Sequence, residues 1–188
     1  MPVRLTPGAA RARHLVVLLL LWAVCGALLG VAWFALWEPP VGQAYEGQWF
    51  LTREGLDQDA SATALFALLG VAGGLLLGVL TAVWGRDREL VTLGAACVGS
   101  VLAAWLMFQV GHALGPPDPR EVAVGAAPLQ EIPADLRLAG ADADPWPLWF
   151  ESSAFSALPG GALLGIVGVL LSSGTSGSAR PRSRAARG

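Results

Sequence analysis

The chain has 188 residues, 54% of them hydrophobic and only 14% charged, with a mean hydropathy of +0.57. Soluble domains carry about 25% charged residues, so this composition excludes an ordinary water-soluble globule and calls for lipid as the solvent of most of the chain. The formal net charge is −2 and all 12 basic residues are Arg; the only basic concentration, near the C-terminus, has no aromatic residues interleaved for base stacking, which argues against nucleic acid as a partner.

A helix needs about 20 mostly apolar residues to cross the hydrocarbon core at about 1.5 Å per residue. Four stretches meet that length without a single Asp, Glu, Arg or Lys: 15–37, 62–84, 90–114 and 152–172. In chain order, residues 1–14 form a basic N-terminus with Arg4, Arg11, Arg13 and His14. The first span follows, and its apolar run is too long for a cleaved signal peptide, so it should stay as an anchor. Cys25 is not a lipoprotein acylation site, because Val24 stands where such signals require a small residue. Gly26 and Gly30 form a GxxxG pair in this span.

Residues 38–61 make an acidic loop that includes Asp57 and Asp59. The second span carries Gly70, Gly74 and Gly78 at the same spacing, and a tight turn at 85–89 holds Arg86 and Arg88. In the third span Gly94, Cys97, Val101, Ala104, Phe108, Gly111 and Gly115 recur at alternating steps of three and four, the period of a left-handed helix contact. The second acidic loop, 115–151, is rich in Pro, with short strands expected near 122–124 and 136–138. The fourth span offers Gly161, Gly165 and Gly168, with Pro159 placed to kink its outer half. The tail at 173–188, rich in Ser, Gly and Arg, reads as disordered.

Orientation follows from the retention of Arg and Lys on the cytoplasmic side. Arg4, Arg11, Arg13, Arg86, Arg88, Arg180, Arg182, Arg184 and Arg187 all fall on one side, against Asp87 and Glu89 alone among the acids. The other twelve acids share the opposite side with Arg53, Arg120 and Arg137. Both termini are therefore expected in the cytoplasm of a cell-membrane protein. Trp33, Trp37, Trp146 and Trp149 would mark the outer interface and Trp84 the inner one. The expected fold is an all-α membrane protein, a four-helix transmembrane bundle with two acidic extracytoplasmic loops. Helices in lipid associate where small residues let backbones approach, so the glycine stripes at Gly26, Gly30, Gly70, Gly74, Gly78, Gly94, Gly111, Gly115, Gly161 and Gly165 should face protein. Trp49-Phe50 before one Gly-rich span and Trp149-Phe150 before another form a faint internal repeat, with convergent membrane composition as the plainer reading.

Candidate chemistry is sparse. Cys25 and Cys97 both lie in apolar runs, which excludes a CxxC motif; if the first and third helices touch, the two thiols could lie at similar depth. Asp57 with Asp59, and Asp142 with Asp144, lack the full ligand spacing of a calcium loop and read as solvated acids. No HExxH, GxxxxGK[ST] or GxSxG occurs, so no metal, cofactor or catalytic residue is expected. Gln109 and His112 are the polar candidates inside the spans, and structural hydrogen bonding or a solvated interface outweighs a ligand or proton role for them.

The acidic lead into Phe66, the Arg86-Asp87-Arg88 turn, the Gly111-His112-Ala113-Leu114-Gly115-Pro116-Pro117 exit and the Trp146-Pro147 approach to the last span together resemble a family of small four-span actinobacterial membrane proteins classed as a domain of unknown function. That resemblance implies a lineage and no activity. The expected role is a non-enzymatic accessory or scaffolding component of the cell envelope, contacting the lipid bilayer and a membrane-protein partner or a second copy of itself. A small transporter or channel component, or an envelope sensor, is the alternative, and an intramembrane enzyme comes last.

Overall fold

The computed structural model describes residues 7–85, 89–139 and 152–175. It is mostly helical, with four helices long and apolar enough to cross a membrane. These are α1 (Pro7–Leu36), α2 (Arg53–Trp84), α3 (Glu89–Leu114) and α5 (Ala157–Thr175), the last led in by a 3-10 turn at Ser153–Ser156. Large apolar side chains such as Leu20, Leu28, Leu68, Leu76, Val98, Leu164 and Leu171 point outward on all four. A helix apolar around its whole circumference needs hydrocarbon on one side and protein on the other. Thus α2 begins well inside the expected first loop, and α5 runs past the expected end of its span to Thr175.

The helices pair in parallel, first with third and second with fourth. A Cβ on Gly26 would sit 2.5 Å from the carbonyl oxygen of Ala103, and one on Gly30 would sit 2.5 Å from that of Met107. The partners climb in step along both chains, so α1 and α3 run the same way. Trp22 against Gly99 and Trp33 against Gly111 extend the seam at both ends. In the other pair, Gly70, Gly74 and Gly78 of α2 meet the backbone around Leu158 and Ala162, while Gly161 and Gly165 of α5 meet that of Val71 and Leu75. Each backbone thus rests in the groove left by the other's missing side chains, where dispersion contacts accumulate without hydrophobic driving force.

Two glycine expectations are corrected. A Cβ on Gly94 would meet nothing within 4 Å, and Cys97 is exposed, so the lower part of the expected α3 stripe faces outward. The seam instead runs through Ala96, Gly99, Ala103, Met107 and Gly111, because a straight helix at 3.6 residues per turn drifts off a strict seven-residue repeat. Gly115 packs on the side chain of Leu136 from a loop, not on a helix. Pro159 does not kink a helix interior. It stands in the first turn of α5, where the N–H it lacks would have no intrahelical partner.

The chain is not all-α. At one end of the bundle a three-stranded antiparallel sheet, in the order β2, β1, β3, is built from β1 (Val41–Tyr45), β2 (Gln48–Leu51) and β3 (Glu131–Pro133). The hairpin closes through Glu46 and Gly47, at φ 50° and 72°, the left-handed pair of a type I′ turn that matches the twist of the strands. Register pairs Tyr45 with Gln48 and Gly42 with Ile132, so the two loops meet in one sheet. The strand expected at 122–124 is largely replaced by a short helix, α4 (Pro119–Ala123), because Asp118 caps it and Pro119 occupies a first-turn position. The strand expected at 136–138 is a strap with no sheet partner among the described residues. Its alternating Ala134, Leu136 and Leu138 are buried, and Leu136 and Leu138 belong to the bundle core.

Candidate functional site

The end of the bundle beneath the sheet is closed by aromatic rings from all four spanning segments. Trp33 of α1 meets the ring of Phe66 of α2 edge-on at 5.0 Å. Phe155, in the turn before α5, lies 5.7 Å from Phe66 and 5.4 Å from Phe108 of α3, both edge-on. Such T-shaped contacts place positive ring edges on negative faces. The Trp33 indole N–H donates to the carbonyl of Ala62 at 2.8 Å, which ties α1 to α2 inside the core. Trp33 and Trp37, expected to mark the outer interface, are both buried in protein, so their rings face the bundle and not the surroundings. Trp84 is exposed, and Trp146 and Trp149 lie outside the described residues.

Of the two polar span residues, His112 is placed structurally. Its ring stacks on Phe108 at 5.6 Å, and its Nδ1 lies 2.8 Å from the carbonyl oxygen of Leu136, which can only accept, so Nδ1 carries the proton. Gln109 is half-buried and meets no hydrogen-bonding partner among the described residues. The structure does not bring the two together on one ligand. Cys25 and Cys97 are also apart: Trp22 is level with Gly99 and Gly26 with Ala103, so the thiols are offset by about five residues, roughly 7.5 Å.

The strap is held by polar contacts at both flanks. The Arg137 guanidinium donates to Asp118 at 2.7 Å and also to Asp135, and Thr63 of α2 accepts from the Ala139 N–H at 2.8 Å. Burial pushes the Asp118 carboxyl up, but the Arg120 N–H and the Arg137 guanidinium outweigh it and hold the group below its ordinary value. For Arg137 burial favours the neutral form, and the flanking Asp135 and Asp118 more than offset it, raising its value.

Between sheet, strap and bundle lies a cleft of about 210 Å³. Its apolar walls are Trp37, Trp49, Pro40 and Pro119, and its polar wall is Asp118, Arg120, Asp135 and Arg137. Trp49 is fixed by its indole N–H, which donates to the Ile132 carbonyl at 3.1 Å. Trp37, with 7% of its surface exposed, has an indole N–H with no acceptor among the described residues. A second hollow of about 330 Å³ opens sideways between α1 and α2, lined by Cys25, Leu28, Leu29, Gly73, Leu76, Leu77 and Leu80. Its exposed surface is wholly apolar.

Sequence reasoning missed the cleft. Asp118-Pro119 was a readable helix start, and Tyr45-Glu46-Gly47-Gln48 a readable hairpin turn, but nothing local announces that Arg137 bridges two carboxylates. Among the described residues no three His, Cys, Asp or Glu converge on a metal position. The side chains of Asp57 and Asp59, and the whole of Asp142 and Asp144, lie outside the described residues.

The four long apolar helices define a multi-pass helical membrane protein. Compared with known proteins, the chain matches no family model, no curated protein and no solved structure.

Proposed function

We propose that the chain is a non-enzymatic accessory or scaffolding component of the cell membrane, with both termini cytoplasmic and the sheet-and-strap cap outside. The observation that carries this reading is the division of the molecule. Its bundle interior is filled by close-packed glycine seams and an aromatic knot, while its shaped polar surface is concentrated in the cap. A transport path needs a hydrated or ionisable lining through the bilayer, whereas a scaffold needs a rigid body and an exposed face. The charge asymmetry supports the orientation, and the resemblance to the four-span actinobacterial family is part of the same proposal.

Crosslinking in native membranes followed by mild-detergent purification tests the role; a stoichiometric membrane-protein partner or a second copy is the expected product. Recovery of the chain as an uncrosslinked monomer, together with ion or solute flux in liposomes, would overturn it in favour of a transporter. Single cysteines tested with an impermeant maleimide check the orientation: one at Gly125 should label from outside, and one at Arg86 only after permeabilisation.

A further inference from the structure

We propose that the cap cleft is a binding site for a sugar ring, presented either by an envelope glycan or by a glycolipid headgroup. Sugars are amphipathic: each ring has an apolar C–H face and a rim of hydroxyls that donate and accept at once. The cleft has the complementary division. Trp37 and Trp49 supply flat apolar walls, and Asp118, Asp135, Arg120 and Arg137 supply acceptors and donors side by side.

Charge selects against ions. Two carboxylates face two guanidiniums, so the polar wall has no net charge to attract an anion or a cation. Asp118 and Asp135 are each paired with Arg137, which neutralises the charge a metal ion would need and still leaves lone pairs to accept from hydroxyls. What remains is hydrogen-bonding capacity of both kinds. The Arg120 guanidinium makes no hydrogen bond among the described residues, although its backbone N–H is bound by Asp118 at 2.9 Å.

Trp37 is the second and independent observation. It is more than nine-tenths buried, it lines the cleft, and its N–H is an orphan donor. An unpaired buried donor is destabilising, and native structures supply a partner for the great majority of such groups. That nitrogen is itself buried, so a hydroxyl oxygen in the cleft becomes its partner only when the indole turns to open its N–H toward the cleft. Size agrees as well. A cleft of about 210 Å³ is on the scale of a single sugar ring.

The test uses the full chain in nanodiscs. Saturation-transfer NMR with methyl α-D-glucopyranoside, methyl α-D-mannopyranoside and methyl β-D-galactopyranoside reads free-glycan binding. Tryptophan emission in nanodiscs doped with a glucosyl or mannosyl diacylglycerol reads headgroup binding. We expect a signal above empty nanodiscs in at least one arm, and the responding arm names the source. Trp37→Phe, which keeps a ring and removes the N–H, and Arg120→Gln, at an exposed residue, should each weaken binding about three- to ten-fold, the usual effect of losing one hydrogen bond. Gly94→Ala, on the outward face of α3, should leave it unchanged. No signal in either arm, or binding indifferent to both cleft variants, would overturn the proposal; if Trp37→Phe fails to fold, Arg120→Gln decides. Partner capture is a separate measurement, so the accessory role and sugar binding stand or fall independently.

Discussion

Replacing Gly26 and Gly94 by Ala, one at a time, separates packing from helix propensity in this bundle. Both changes add the same methyl to the same kind of helix. Each gains about 0.8–1.0 kcal/mol of intrinsic propensity on scales measured for exposed helices. At Gly94 the methyl meets nothing within 4 Å, so the gain should stand. At Gly26 it would lie 2.5 Å from the carbonyl oxygen and 2.6 Å from the Cα of Ala103. Those are backbone atoms and cannot rotate away, so α1 and α3 must separate, with an overpacking cost of about 1–3 kcal/mol. Because the propensity gain cancels in the comparison, Gly26→Ala should be less stable than Gly94→Ala by that full 1–3 kcal/mol. Unfolding in mixed micelles by SDS titration, followed by tryptophan emission, measures the gap. Two variants agreeing within about 0.5 kcal/mol, the scatter of neutral substitutions, would refute a bundle held by this seam.

Trp33→Ala should cost about 3–5 kcal/mol in the same titration, since it empties the centre of the aromatic knot and frees the Ala62 carbonyl. His112→Ala leaves the Leu136 carbonyl without its donor, and a loss of about 1–3 kcal/mol should appear as faster hydrogen exchange over residues 134–139 with the rest of α3 unchanged. Because the Asp118 carboxyl is held below its ordinary value of 3.8, the unfolded chain takes up its proton first as pH falls. The cap's stabilisation by this group is therefore complete above about pH 4 and lost as pH drops through the lower folded value. Thermal unfolding from about pH 6 to pH 3 should show that decline, and Asp118→Asn should flatten it; a cap growing firmer on acidification would contradict the ion pair.

Much of the architecture was legible because lipid imposes a coarse demand. A run such as 62–84 must be helical and must be long, since an unpaired backbone group in hydrocarbon is prohibitively costly. Gly74 and Gly161 could be assigned to contacts for a related reason, as a missing side chain has few uses in a membrane other than close approach. Gly94 misled because the same composition appears on an outward face, and sequence spacing does not carry the rotation of a helix about its axis. Trp33 and Trp37 make a related point: an indole near a span end can be taken up by the protein interior, and its position along the chain does not say whether it is.

The amino-acid sequence alone determined that four segments are oily enough to span, and which stretches between them are acidic. Those properties are sums over neighbouring residues, and transfer to hydrocarbon depends on little else. The pairing of first helix with third, the joining of two distant loops into one sheet, and the convergence of Asp118, Asp135 and Arg137 beside Trp37 were decided only in three dimensions. Each depends on which surfaces meet across long chain separations, and short-range attractions between such surfaces leave no periodicity along the chain from which to read them.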